Sequence, residues 1–228
     1  MPLTWIHDGP AGPLAYVVAD VLGDLGYVMQ IVVDVSVRRQ GLGRSIMQEV
    51  AALFRERGCR RWGLNVKREN TAALALYGSL GMKPLRESTT LGVSPLQVQA
   101  LPQAPTGLEV VPVAEAEWEP LTEAFRMMPG KLARFAKRPS HKLLRLSRAG
   151  EPEPLRLGMT DLRQGGVLFP FFAATPGHAR ALLEDAFRRQ SVEALSVTVT
   201  DDAPLTGLLR GAGAKVRMEF LELLGPLR

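Results

Sequence analysis

One stretch, residues 26–54, constrains the fold of this chain more than any other. It opens with the apolar run GYVMQIVVD, whose composition is typical of a β-strand covered on both faces. The loop VSVRRQGLG follows, and apolar residues then recur with the spacing of an amphipathic helix at Ile46, Met47, Val50, Leu53 and Phe54. Gly58 is placed to end that helix. The sequence therefore predicts a buried strand that leads through a glycine-containing loop directly into a helix.

Composition narrows the class of protein. The 228 residues are 46% hydrophobic, enough for one large domain or two small ones. No apolar stretch reaches the roughly 18 to 20 residues of a membrane span, and MPLTWIHDGP lacks the basic and apolar regions of a signal peptide. One cysteine, Cys59, and three histidines exclude a cysteine-based zinc cluster and offer little to any metal. We expect a soluble, cytoplasmic protein with no membrane anchor and no metal.

The chain divides at a proline-rich stretch. Residues 94–107, SPLQVQALPQAPTG, carry three prolines and no charge, which indicates a linker between a first domain at 1–93 and a second at 108–228. The first domain has the predicted order β-β-β-α-β-α-β, with strands in LTWIHD, LAYVVAD, GYVMQIVVD, WGLNV and KPLRESTTLGV. Asn70 can cap its second helix, and Gly81 can end it.

The second domain repeats that order behind an extra strand and two helices. The extra strand is LEVVPV, and the helices are EAEWEPLTEAFRMM and KLARFAKR. HKLLRLS and PLRLGMTDL then form a predicted hairpin around the turn RAGEPEP, followed by strand, helix, strand, helix and strand. The segments LNVKRENTAALALYGSLG and LSVTVTDDAPLTGLLRGAG also echo each other. We interpret the chain as an internal duplication.

Three kinds of phosphate-binding loop compete for VRRQGLGRS, residues 37–45. A P-loop needs a Lys-Ser or Lys-Thr pair after its last glycine, and none is present. A dinucleotide-binding loop needs a third glycine and an acidic residue about 20 positions on, and both are missing. The pattern that remains is R-x-x-G-x-G, formed by Arg38, Gly41 and Gly43.

A second motif accompanies this loop, and the two together carry a resemblance. Val33 lies five residues before Arg38, and downstream the pattern N-x-x-A-x-x-L-Y-x-x-x-G is formed by Asn70, Ala73, Leu76, Tyr77 and Gly81. From residue 3 to about 92, the chain resembles the GNAT family of acetyl-CoA-dependent N-acetyltransferases. The resemblance implies an α/β (α+β) fold of two GNAT-like domains in tandem, each with a mixed, mostly antiparallel sheet flanked by helices.

The resemblance implies acetyl-CoA as the cofactor, and the chemistry of the loop agrees. Free amides at a helix N-terminus attract the oxygens of a pyrophosphate, and glycines let those oxygens approach the backbone. The implied cofactor-binding residues of this loop are Arg38, Arg39, Gln40, Gly41, Leu42, Gly43, Arg44 and Ser45. The implied contacts of the pantetheine arm are the backbone of Ile31, Val32 and Val33, where two strands diverge, and the side chain of Asn70.

Tyr77 is the implied catalytic residue. In the family, a tyrosine at this position protonates the thiolate that leaves when an amine attacks the thioester. The alternative is a helix-face tyrosine that only packs. A general base is not assigned: the family often has a glutamate on the strand before the loop, where this chain has Met29 and Gln30. Asp34, Asp24, Asp20, His7 and a water relay past Gln30 all stay open.

Two departures from the family concern the ends of the domains. The first domain lacks the usual opening strand and two helices, so its acceptor wall would come from upstream sequence, another part of the chain or a second subunit in a homodimer. The second domain has TPGHAR where the loop belongs, and only Gly177 survives there. Leu209 stands at its tyrosine position. We interpret the second domain as a degenerate copy that does not catalyse.

The expected function is transfer of an acetyl group to an amine of a small molecule or peptide. The rival from another class is a non-catalytic acyl-CoA-binding or scaffolding protein built of two such domains. Residues 131–148, KLARFAKRPSHKLLRLSR, carry many basic side chains and no acid. A surface that binds nucleic acid would need such a concentration of positive charge. Such a run is more simply a solvated helix face followed by a strand, so we do not expect nucleic acid as a partner.

Overall fold

The computed structural model describes residues 3–10, 12–151 and 154–227. The predicted turn RAGEPEP lies partly outside these residues. The chain forms two compact units, of which the first is made of two separate segments and the second of one. The first unit consists of Met1–Glu87 and Phe220–Arg228, and the second of Ser88–Glu219.

The first unit contains four strands and two helices before the chain leaves it. In chain order they are β1 (Leu3–Gly9), β2 (Gly12–Leu22), β3 (Leu25–Val33), α1 (Leu42–Glu56), β4 (Arg61–Lys67) and α2 (Thr71–Ser79). Strand β5 (Lys83–Val93) starts in the first unit and ends in the second.

The second unit contains five helices and five complete strands among its described residues. They are α3 (Pro95–Gln99), β6 (Leu108–Pro112), α4 (Trp118–Ala124), α5 (Lys131–Ala136), β7 (His141–Arg148), β8 (Gly158–Arg163), β9 (Val167–Ala173), α6 (Pro176–Arg189), β10 (Leu195–Thr200) and α7 (Ala203–Gly211). Strand β11 (Lys215–Pro226) starts in the second unit and ends in the first.

The strand pairing of the two units follows one plan. In the first unit, β1, β2 and β3 pair antiparallel in turn, β3 pairs parallel with β4, and β4 pairs antiparallel with β11. In the second unit, β7, β8 and β9 pair antiparallel, β9 pairs parallel with β10, and β10 pairs antiparallel with β5. Strand β6 adds one further antiparallel partner to β7. This shared order matches the predicted duplication.

The last strand of each plan comes from the other half of the sequence. Residues 220–226 of β11 pair with β4, whereas residues 88–93 of β5 pair with β10. The predicted boundaries at residues 93 and 107 therefore do not coincide with the compact units. Hydrophobic periodicity identifies a strand but does not name its partner, which is why the sequence alone leads to two contiguous halves.

The predicted linker, residues 94–107, is structured in part. It contains α3, which a capping box of Ser94 and Gln97 begins. Val98 and Leu101 are buried in the core of the second unit. The predicted helix EAEWEPLTEAFRMM is also shorter than expected: after a 3₁₀ turn it spans only Trp118–Ala124, and Arg126 has a positive φ.

The core of the first unit lies between α1 and the sheet. Ile46, Met47 and Phe54 of α1 are fully buried against alternate residues of β2. The close approach requires Gly26, because a Cβ there would lie 2.3 Å from the ring of Phe54. Leu221 and Leu223 of β11 belong to the same core. The first unit thus depends on residues from the far end of the sequence for its packing.

We predict that Leu223→Ala lowers the free energy of unfolding by about 2–5 kcal/mol, because Leu223 is only 2% exposed and its removal leaves a cavity in the first unit. Urea unfolding measures the change. Leu85→Ala is the matched control, since Leu85 also lies in a strand of the first unit but is 55% exposed. Equal destabilisation by the two substitutions would show that β11 is not part of this core.

Candidate active site

The site begins where two parallel strands of the first unit stop pairing. β3 and β4 pair from Leu25–Arg61 to Val28–Leu64, and both strands then continue without pairing to each other. The register between β2 and β3 shifts at the same level, which makes Met29 the extra residue of a β-bulge. A cleft therefore opens between residues 29–33 and residues 65–67. This is the divergence at which the predicted backbone contacts Ile31, Val32 and Val33 lie.

The loop after β3 is built by its own polar groups. The Asp34 carboxylate accepts hydrogen bonds from the Ser36 amide at 2.9 Å and the Ser36 hydroxyl at 2.5 Å, which shape a 3₁₀ turn at residues 35–37. These two bonds lower the pKa of Asp34 below its usual value. Arg38 Nε donates to the Val33 carbonyl at 2.9 Å, so this guanidinium lies back against the end of β3.

Two left-handed residues bring the chain into α1. Arg39 has φ +61°, which is uncommon for a residue with a side chain, and Gly41 has φ +90° at the N-cap. Gly41 carries no capping side chain, and its carbonyl accepts from the Arg44 and Ser45 amides at 3.0 Å. Within the part of the chain that the structure describes, the backbone amides of residues 39–43 have no acceptor. Such a group of free donors at a helix N-terminus is an anion site.

The polar side chains of the loop surround these amides and are exposed. Arg44 Nη2 donates to the Ser79 hydroxyl of α2 at 2.8 Å, which connects the start of α1 to the end of α2. Ser45 donates to Glu49 at 3.2 Å, and Gln40 donates to the Ser36 carbonyl at 3.2 Å. A Cβ at Gly43 would make only ordinary contacts, with Leu76 and Val33 at 3.6 and 3.8 Å. Gly43 therefore lies beside α2 and β3, and packing within the protein does not itself require a glycine there.

α2 carries the two remaining predicted residues. Asn70 is its N-cap and accepts from the Ala73 amide at 3.1 Å, as the sequence predicts. Tyr77 is 6% exposed and packs in the core that α1 and the sheet share. Burial raises the pKa of Tyr77 above its ordinary value of 10.0. Its hydroxyl has no hydrogen-bond partner among the described residues, so the proton of that hydroxyl is committed to no other group.

The candidate general bases are held in different ways. Asp24 pairs with Arg61 at 3.0 Å, and this hydrogen bond lowers the pKa of its carboxyl. His7 Nε2 lies 3.4 Å from Glu49 Oε2. Asp20 accepts from the Val21 amide at 2.9 Å, and Asp34 caps its turn. Gln30 lies exposed on the diverging part of β3. No one of these groups stands out as a base.

The corresponding places in the second unit are closed. The parallel pairing of β9 and β10 continues to Phe171–Val199, and the rings of Phe125 and Phe172 stack 4.8 Å apart nearby. A cavity of about 180 Å³ remains there, below the ~300–1,000 Å³ of typical ligand sites. At the N-terminus of α6, a Cβ on Gly177 would lie 2.7 Å from the Gln103 carbonyl, so the chain itself covers this position.

The tyrosine position of the second unit and the basic run have structural roles. Leu209 is fully buried in the core of that unit. In the run 131–148, Arg145 forms an ion pair with Glu117 at 2.6 Å, and the Lys131 ammonium lies 4.8 Å from the centre of the Phe169 ring. Across residues 3–10, 12–151 and 154–227, no group of three or more His, Cys, Asp or Glu side chains is arranged to hold a metal ion. Within those same residues, every helix is too short or too polar to cross a bilayer.

The structure brings the predicted cofactor-binding residues to one end of the first unit, around the cleft and the start of α1. Sequence reasoning missed the bulge at Met29 and the Arg44–Ser79 bond. The bulge has no signal in the sequence, because it is an irregularity of pairing. The bond could have been anticipated only from the relative placement of two helices.

Comparisons with known proteins agree with this geometry. Residues 2–82 match the family model described as Acetyltransferase (GNAT) family. A ribosomal protein bS18-alanine N-acetyltransferase of Escherichia coli (strain K12) is 37% identical over 67 residues, which cover 29% of this chain and 45% of that protein. Its counterpart of Salmonella typhimurium is 36% identical over 67 residues. The chain thus spans less than half the length of these curated relatives.

Solved structures extend the likeness to the whole chain at the level of the fold. A GCN5-related N-acetyltransferase from Sphaerobacter thermophilus has a TM-score of 0.69 at 19% identity, over 99% of this chain and 81% of that one. A tandem GNAT protein from the clavulanic acid biosynthesis pathway has a TM-score of 0.64 at 12% identity, over 99% of this chain and 82% of that one. Residues 2–82 of this chain thus match the acetyltransferase (GNAT) family, and the chain as a whole has the fold of a tandem GNAT protein.

Proposed function

We propose that this protein is an N-acetyltransferase that transfers the acetyl group of acetyl-CoA to an amine, and that its first unit holds the reaction. The observation that carries the proposal is the group of unpartnered amides at residues 39–43 beside the diverging strands β3 and β4. The match of residues 2–82 to the GNAT family model supports the same function, because acetyl-CoA is the donor that this family uses. The second unit is not proposed to catalyse, since both equivalent places are closed by its own chain.

The residues fit the parts of acetyl-CoA in order. The amides of Gly41, Leu42 and Gly43, with Arg39, Gln40 and Ser45 around them, would hold the pyrophosphate. Each favourable contact of an anion with the helix dipole contributes roughly 0.3 to 1 kcal/mol. Arg38 and Arg44 have guanidinium donors left after their bonds to Val33 and Ser79. The backbone of Ile31, Val32 and Val33 pairs with β2 but not with β4, and its side toward β4 would pair with the pantetheine amides. Asn70 follows the end of β4, next to the cleft.

Tyr77 is the proposed general acid. Bound acetyl-CoA would supply a thioester, whose carbonyl carbon would bond to the amine nitrogen as its bond to sulfur breaks. Tyr77 would donate its proton to that sulfur, the amine nitrogen would lose a proton to water, and Tyr77 would regain a proton from water. Because burial raises the pKa of Tyr77, its phenol is protonated at neutral pH and has a proton to donate to the leaving sulfur.

The proposed acceptor is the amine of a peptide or small molecule. The curated relatives act, by their names, on an alanine of a ribosomal protein, which supports a peptide N-terminus as one candidate. The rival function is a non-catalytic acyl-CoA-binding or scaffolding protein, which the same cleft would serve. An enzyme both binds acetyl-CoA and transfers its acetyl group, whereas the rival only binds it. The following substitutions test binding and turnover in turn.

We predict that Gly41→Glu weakens acetyl-CoA binding about 100-fold or more, because it places a carboxylate where the pyrophosphate would lie. Isothermal titration calorimetry measures the dissociation constant. Gly41→Ala is one control, since it has the same backbone strain at φ +90° without the charge. Ala52→Glu is the other, since it adds the same charge on an exposed part of α1 about 15 Å away. Unchanged affinity in Gly41→Glu would remove the cofactor assignment.

We predict that Tyr77→Phe lowers kcat about 100-fold and leaves acetyl-CoA affinity unchanged, because only the proton donor is lost. Stability should also be unchanged, since the hydroxyl has no partner among the described residues. The pKa of Tyr77 is raised, so its proton is lost only above the ordinary value of 10.0. In the wild type, any fall in kcat caused by ionisation of Tyr77 should therefore have its midpoint above pH 10.0. Turnover within a few-fold of wild type would withdraw the acid role of Tyr77, and wild-type binding without turnover would favour the rival.

A further inference from the structure

The sheet of the first unit has one covered face and one open face. Alternation along β2 turns Ala15, Val17 and Ala19 toward α1, and each is at most 4% exposed. Tyr16 and Val18 lie on the opposite face. Residues of β1 and β3 that pair with them share that face, because paired residues of neighbouring strands point the same way.

Three large apolar side chains form a row across the open face. Ile6 pairs with Tyr16, and Tyr16 pairs with Val32, so the three stand next to one another on adjacent strands. Their exposed fractions are 56%, 37% and 42%. We call Ile6, Tyr16 and Val32 the apolar row. Exposed apolar side chains are ordinary one at a time, but a contiguous group of them indicates a binding surface.

The strand positions around the apolar row are neutral or acidic. Open-face positions near the row on β1, β2 and β3 include Thr4, Val18, Asp20 and Gln30, none of which is basic. The Asp34 carboxylate follows directly at the end of β3, and its hydrogen bonds from Ser36 lower its pKa. The basic side chain at this end is Arg38, whose Nε donates to the Val33 carbonyl. The strand positions away from the loop therefore favour a cation over an anion.

The second unit covers the corresponding face with its own chain. There Leu143 of β7 and Met159 of β8 are buried together with Leu121 of α4 and Leu132 of α5. No helix has that place in the described part of the first unit, which passes from β1 straight into the sheet. The open face is thus a difference between two units of otherwise shared order.

The apolar row borders the cleft. Val32 belongs both to the row and to the diverging segment of β3, and Gln30 lies two residues before it on the same face. The other side of the cleft is closed by α1 and α2, with Tyr77 buried among them. An acceptor that approaches the thioester from the open side therefore passes over the apolar row.

We propose that the apolar row recognises the acceptor, and that the acceptor is a cationic primary amine whose neighbouring substituent is apolar. This inference rests on the proposed acetyl transfer. The apolar substituent packs on Ile6 and Tyr16, while the acidic groups of the face attract the ammonium before it loses its proton. Amines that carry a carboxylate or phosphate next to the nitrogen are poor acceptors, because Thr4, Val18, Asp20 and Gln30 around the row offer no cation to pair with them.

A pair of amines matched in size tests the proposal. L-Leucinamide has an apolar side chain and L-glutaminamide a polar one, and both present the same α-amine. With acetyl-CoA at saturation, we expect kcat/KM to be about tenfold or more higher for leucinamide. Equal values of kcat/KM for the two amines would overturn the proposal.

Tyr16→Thr and Ile6→Thr test the surface itself, because threonine keeps the preference for a strand while removing apolar area. Each should reduce the leucinamide to glutaminamide ratio at least threefold and leave the dissociation constant of acetyl-CoA unchanged. Leu85→Thr is the matched control, with an equally exposed leucine on β5, and should leave the ratio unchanged. Circular dichroism identifies any variant that fails to fold. If one of the two row variants does not fold, the ratio measured with the other tests the proposal.

The outcomes separate this proposal from the cofactor assignment. A ratio unchanged in both row variants, with a change in sedimentation, would make the open face a contact between copies of the chain and overturn the proposal. Acetyl-CoA binding without transfer to either amine would overturn it too, while the cofactor site still stands. Loss of the cofactor site would appear independently, as unchanged acetyl-CoA affinity in Gly41→Glu.

Discussion

The site depends on one interruption in backbone hydrogen bonding, the point at which β3 and β4 stop pairing after Val28 and Leu64. A buried sheet normally pairs every amide and carbonyl, because an unpaired polar group costs about 1–3 kcal/mol. The bulge at Met29 turns β3 away, and the strand then leads to a loop whose amides also have no acceptor. An extended ligand with amides at one end and phosphates at the other can satisfy both sets of groups. The side of β3 toward β4 and the amides of residues 39–43 therefore remain available to hydrogen-bond such a ligand.

The two units use the same strand order to opposite effect. In the second unit the parallel strands remain paired as far as Phe171 and Val199, and aromatic rings pack beside them. The chain between α3 and β6 lies against Gly177, where the first unit has free amides. A stretch interpreted from sequence as a linker therefore fills the position that corresponds to the glycine loop of the first unit. That the second unit is a degenerate, non-catalytic copy stays a prediction.

Local features were predictable from the sequence because they depend on neighbouring residues. The periodicity of α1, the Asn70 cap and the glycine turn at Gly81 all follow from spacing and backbone preference. Features that depend on distant pairing were not predictable. The exchange of β5 and β11, the bulge at Met29 and the burial of Val98 arise from contacts between residues far apart in sequence. The residues of the candidate site were predictable from the loop and helix motifs. The cleft beside which they lie was not, because it results from the pairing of strands in the sheet.

The origin of β11 has a consequence for how the protein is made. Residues 1–87 leave the ribosome well before Phe220 and the residues after it are added. These late residues nevertheless supply the strand that pairs with β4 and two leucines of the core of the first unit. During synthesis, the unit that carries the glycine loop waits with an unpaired strand edge until the second unit has been translated. Strand edges of this kind attract wrong partners, and contacts between distant residues form slowly. Assembly of the first unit thus requires that the rest of the chain be translated, so a nascent chain that stalls early holds the motif residues without the complete sheet that positions them.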